Sequence, residues 1–105
     1  MERDLNELNK LEEWLKDQHI PYTRVDNEDM FNTIERPIDL HQIRAITPGG
    51  YDWDVICHYG SYGCDQGLLE GMGAPFGKDV EGWLTAKDVI DRIRPFYNGD
   101  CNDNV

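Results

Sequence analysis

The tripeptide Pro48-Gly49-Gly50 constrains this chain more than any other feature, because strand-like runs stand on both sides of it, His41–Thr47 and Tyr51–Tyr59. Proline and glycine punctuation of this length predicts a β-hairpin. If Thr47 faces Tyr51 across the turn, Ile43 lies opposite Val55 and Arg44 opposite Asp54. Strand side chains alternate between faces. His41, Ile43, Ala45, Trp53, Val55, Cys57 and Tyr59 therefore share one side, and Gln42, Arg44, Ile46, Asp52, Asp54, Ile56 and His58 the other. The first set is the better core, and Arg44 with Asp54 is expected as an exposed pair contributing about 0.2–1 kcal/mol. One face of the sheet should be covered by helices and the other open to water.

The covering helices are legible at both ends of the chain. Leu5, Leu8, Leu11, Trp14 and Leu15 recur at helical spacing, with Glu2, Glu12, Glu13 and Lys16 on the opposite side, predicting an amphipathic helix over Glu2–Gln18. Asp4 and Glu7 near its start suit the positive end of the helix dipole. The helix must end before Pro21, because a proline disfavours helical geometry in the residue preceding it. At the other end, Thr85-Ala86-Lys87-Asp88 has the spacing of a capping box, predicting a helix over Ala86–Arg94 that buries Ala86, Val89, Ile90 and Ile93 and stops at Pro95.

Between the helices, Pro21–Asp26 reads as a first strand, with Tyr22, Thr23 and Val25 favouring that state. Asn27–Leu40 lacks a period and reads as a long surface loop, with room for one helical turn. Gln66–Met72 and Val80–Leu84 read as short strands, separated by turns rich in glycine and proline. The expectation is one α+β domain, residues 1–97, with a mainly antiparallel sheet of three to five strands and both terminal helices packed on one face. Residues 98–105 read as a flexible acidic tail.

A length of 105 residues suits a single small core. A formal net charge of -11, from 21 acidic against 10 basic residues, argues against direct binding to nucleic acid, which draws on clustered Lys and Arg. It suits a basic protein surface, unless the charge serves solubility alone. No apolar run approaches the roughly 20 residues that span a bilayer, and the first residues lack the apolar core of a signal peptide. A cytoplasmic protein without membrane contact is therefore expected. In that reducing setting its three cysteines should be free thiols.

The reactive residues do not converge on a familiar catalytic pattern. Cys57 and His58 are neighbours on a strand and point to opposite faces, and the Cys57–Cys64 spacing matches no zinc motif, so no metal and no cofactor is expected. Cys57 reads as a small core residue. Cys64 lies in a loop, but nothing in the sequence ties it to His19, His41 or His58. The loop Gly60-Ser61-Tyr62-Gly63 lacks the lysine and the helix start of a phosphate loop. The order of elements is similar to a restriction-nuclease core, in which Asp54 and Glu70 would supply the two acids for magnesium. However, Met72 stands where that motif needs lysine. No catalytic residue is assigned, and a metal-dependent nuclease or hydrolase using Asp54 and Glu70, with His58 as a further candidate, stays as the alternative.

At Trp53–Gly63, Gly67–Glu70 and Val80–Ile90 the chain resembles a group of short uncharacterised acidic proteins encoded by bacteriophages and prophages of gut Gram-positive bacteria, a resemblance running from Leu8 to Arg94. The group carries no assigned activity or catalytic residue. It implies a setting, an infected or lysogenic bacterial host, in which small acidic phage proteins often occupy host machinery, inhibitors of CRISPR nucleases among them. The resulting expectation is an inhibitor that presents acidic surface to the basic nucleic-acid channel of a host protein, such as a CRISPR effector nuclease. Its contact residues would be Asp26, Glu28, Asp29, Glu35 and Asp39 in the aperiodic loop, and Tyr59, Tyr62 and Asp65 in the glycine-rich one. A structural accessory role is the remaining reading.

Overall fold

The hairpin forms in the expected register. In the computed structural model, which describes residues 3–31 and 38–98, β2 (Ile38–Ile46) and β3 (Asp52–Ile56) pair antiparallel with Ile43 opposite Val55 and Arg44 opposite Asp54. The turn closes through the Gly50 amide donating to the Thr47 carbonyl at 2.9 Å and the Tyr51 amide to Thr47 Oγ1 at 3.1 Å. Ile43, Trp53, Val55 and Cys57 are buried, whereas Ile46 and Asp52 are exposed. Two details of the expected pairing differ. Asp54 accepts from Gln42 Nε2 at 3.0 Å, so the neighbour along β2 rather than Arg44 supplies its bond. Tyr59 lies beyond the end of β3 and is exposed, because the chain leaves the ladder after Ile56.

Around the hairpin the chain adds strands in sequence order. β1 (Thr23–Phe31), β4 (Leu69–Gly73) and β5 (Glu81–Leu84) complete a five-stranded antiparallel meander ordered β1-β2-β3-β4-β5. β1 corrects the long loop expected over Asn27–Leu40. Asn27–Phe31 extends the first strand and Ile38–Leu40 begins the second, leaving 32–37 outside the described residues. Pairing with β2, which sets Asp26 opposite His41 and Asn27 opposite Leu40, overrides the weak strand preference of the acidic residues. The segment expected as one strand over Gln66–Met72 divides into a turn at Cys64–Gln66 and then β4.

Both helices cover the same face. α1 (Asn6–Asp17) buries Leu8, Leu11 and Leu15, and α2 (Ala86–Ile93) buries Ala86, Val89 and Ile93 against the Ile43, Trp53, Val55 and Leu69 side of the sheet. α1 begins at Asn6, later than Glu2, where the Asp4 carboxylate accepts from the Asn6 amide at 3.0 Å. It ends before Pro21 is reached. His19 takes a left-handed conformation (φ 58°), its amide donating to the Lys16 carbonyl and the Ile20 amide to the Leu15 carbonyl, which is a Schellman closure. α2 starts with the expected capping box: Thr85 Oγ1 accepts from the Asp88 amide, and the Asp88 carboxylate from the Thr85 amide.

The two helices run parallel. At their starts Glu7 Oε1 accepts from the Ala86 amide at 2.8 Å, and at their ends Arg94 lies over the Trp14 ring. Trp53 joins the segment after α2 to the sheet by donating from Nε1 to the Tyr97 hydroxyl at 2.8 Å. Among the described residues no helix is long and apolar enough to cross a membrane.

Candidate interaction surface

β4 and β5 do not pair evenly. Leu69 faces Leu84 and Gly71 faces Glu81, so the single residue Glu70 is opposed by two, Gly82 and Trp83. That is a β-bulge, a device that bends a strand and re-aims a side chain. Here it re-aims Trp83, whose backbone is left-handed (φ 55°). A bulky residue rarely takes that conformation, at a cost of about 1–3 kcal/mol.

The re-aimed indole stacks on Tyr62, with ring centroids 5.2 Å apart and planes inclined by 21°. Trp83 and Tyr62 are 57% and 52% exposed, so the pair faces outward instead of filling the core. Its base is made of glycine. A Cβ at Gly82 would lie 2.4 Å from Tyr62 Cβ, and one at Gly63 would lie 3.2 Å from Trp83 Cδ1. The loop that carries Tyr62 is fixed from beneath: buried Ser61 accepts from the His58 amide and donates to the His58 carbonyl, and Glu70 Oε1 accepts from the Tyr62 amide at 2.8 Å. Bulge, glycines and carboxylate together hold two flat rings in water at the edge of the sheet.

The expected contact residues divide in two. Tyr59, Tyr62 and Asp65 are exposed in the loops at this end of the sheet. Trp83 belongs with them and was not anticipated. The cue was an aromatic at an outward position of Val80–Leu84, directly after a glycine. The acidic group behaves differently. Asp39 is 7% exposed, which corrects its assignment to an open loop. Arg3 donates to both its oxygens at 2.9 and 3.1 Å, and the Tyr59 amide donates at 2.8 Å. Burial would raise the Asp39 carboxyl, but these bonds outweigh it and hold the group at about 2.

Asp26 is exposed on β1 yet also engaged. Arg24 donates to both its oxygens, and His41 Nδ1 lies 2.7 Å from Oδ1. Its carboxyl is below the usual range because the bonds from His41 and Arg24 overcome desolvation. Buried His41 therefore sits between two carboxylates, with Nε2 3.3 Å from Asp39. Arg24 also reaches Asn9 and Glu12 of α1, and the Tyr22 hydroxyl donates to Glu12 at 2.6 Å, which pushes that hydroxyl up to about 12. This array ties α1 to β1 and β2. Glu28 and Asp29 fall within β1, and Glu35 lies outside the described residues.

The residues of the nuclease alternative are each engaged by a neighbour. Asp54 and Glu70 share the open face as diagonal neighbours across β3 and β4, but they bond to Gln42 and to the Tyr62 amide respectively. His58 Nδ1 accepts from the His41 amide at 3.3 Å, and burial lowers its basicity. Among the described residues no three of His, Cys, Asp or Glu are grouped so as to hold a metal ion. Cys57 and Cys64 are buried free thiols. Cys57 donates to the Asp4 carbonyl, and burial raises its thiol to about 11, far from a reactive thiolate. Comparison with protein-family models, with curated proteins and with solved structures gives no match.

Proposed function

We propose that this chain is a protein-binding module whose contact surface is the outward-facing Tyr62–Trp83 stack and whose partner presents a basic region. The exposed stack carries the reading. Two large rings are stacked outward by a bulge that keeps Trp83 in a costly backbone conformation, and among the described residues both stay more than half exposed. Tryptophan and tyrosine are the residues most enriched among energetically dominant interface positions. The net charge of -11 favours a cationic partner, both in speeding encounter and in rejecting anionic ones.

In its sharpest form the reading is inhibition of a bacterial defence nuclease, a CRISPR effector being the first to test, by covering the basic channel that takes nucleic acid. The test is binding to a panel of basic nucleases at low and at physiological salt, with wild-type protein and with Trp83→Gly. Binding that weakens as salt rises and falls by about tenfold or more in the variant supports the reading, since an interface aromatic of this kind commonly contributes upward of about 1–2 kcal/mol. Binding unaffected by Trp83→Gly places the contact elsewhere. Failure of every nuclease to bind at low salt removes the inhibitor form.

A further inference from the structure

We infer that the Tyr62–Trp83 stack, with Glu70 beside it, is a receptor for an arginine side chain, so that the partner is recognised by a guanidinium and not by positive charge alone. The inference rests on the docking reading above and supplies the chemistry of the contact. Glu70 lies opposite the bulge that carries Trp83 and accepts from the amide of Tyr62, so the carboxylate and both rings belong to one local structure. Only Glu70 Oε1 takes the Tyr62 amide, and among the described residues Oε2 has no protein donor.

A planar cation fits that combination. Guanidinium stacks flat on an indole face while its N–H groups, lying in its own plane, reach sideways to a carboxylate. An ammonium has no such plane and must trade one contact against the other. Arg92, which reaches β5 from α2, is paired with Glu81, with Nη2 2.6 Å from Oε2, and so does not compete for the stack. A neutral flat ligand would use the rings and could donate a hydrogen bond to Glu70, but it would gain no charge pairing there and nothing from the net charge of -11.

The test uses the full chain and two peptides identical except that one carries arginine where the other carries lysine. Affinity is measured at physiological salt, and the indole N–H resonance of Trp83, recognised by its loss in Trp83→Gly, reports where binding occurs. The arginine peptide should bind about fivefold more tightly or better and shift that resonance. Glu70→Gln should weaken it, and Trp83→Gly should abolish the preference. Tyr62→Ala, which leaves the backbone at Trp83 unchanged, should reduce the preference and decides the matter if Trp83→Gly does not fold. Equal affinity for the two peptides, a preference that survives loss of either ring, or binding that leaves the Trp83 resonance in place overturns the inference. A nuclease that depends on Trp83 while the peptides are not distinguished leaves the docking surface standing without the guanidinium. A nuclease indifferent to Trp83→Gly removes the docking surface itself.

Discussion

Two residues other than glycine hold a left-handed backbone among the described positions, His19 and Trp83, and the same substitution separates their roles. His19 closes α1 in a position that glycine fills without penalty, so His19→Gly should raise stability by about 1 kcal/mol, read as a higher melting temperature. Trp83→Gly relieves comparable backbone cost but also removes the ring stacked on Tyr62, so its melting temperature should stay within a few degrees of wild type while binding is lost. A large loss of stability there would make the stack part of the fold's support. Asp39 contributes to acid sensitivity. Its carboxyl is depressed in the folded chain to about 2, from the ordinary aspartate value of about 3.9, so the folded state resists protonation. Stability from this group is complete above the unfolded value and is lost as pH falls from about 4 through about 2, amounting to about 2 kcal/mol. Acid titrations of wild type and Asp39→Asn should differ in slope across that window, and parallel curves would contradict the assignment.

At the level of elements, the hairpin register predicts that Val55→Asp unfolds the domain, because an unpaired charge in the core costs about as much as a small domain's whole stability. Asp54→Asn, which keeps an acceptor for Gln42 on the open face, should cost less than about 1 kcal/mol in urea denaturation. Thr85→Ala should cost about 1 kcal/mol through the lost cap of α2. These features were readable because their causes are local: a turn tripeptide, alternation, and a threonine three residues before an aspartate. The outer half of β1 was not readable. Its acidic residues disfavour strands, and the pairing with β2 that overrules them comes from a different stretch of chain. Asp39 was misplaced for the same reason, since the arginine that permits its burial stands 36 residues away. The bulge was hidden because Gly82-Trp83 fits regular alternation as a pattern of letters, and only the register against β4 shows two residues facing one.

Across the whole molecule, an excess of acid works in opposite directions on folding and on binding. Twenty-one acidic residues against 10 basic ones repel one another in the compact state, and salt screens that repulsion, so the melting temperature should rise between low and physiological salt while affinity for a basic partner falls. A melting temperature that falls with added salt would mean that ion pairs such as Arg3–Asp39 and Arg92–Glu81 outweigh the repulsion. The parallel helices impose a different constraint. Each chain reversal in the meander flips direction, so an odd number of strands between α1 and α2 returns the second helix pointing the same way as the first. The contacts at both ends, Glu7 with the start of α2 and Trp14 with Arg94, depend on that parity. A chain of this plan can therefore lengthen or shorten its sheet only by whole hairpins. Inserting or deleting a single strand would send α2 back along α1 in reverse and leave the Glu7 carboxylate beside the wrong end of a helix.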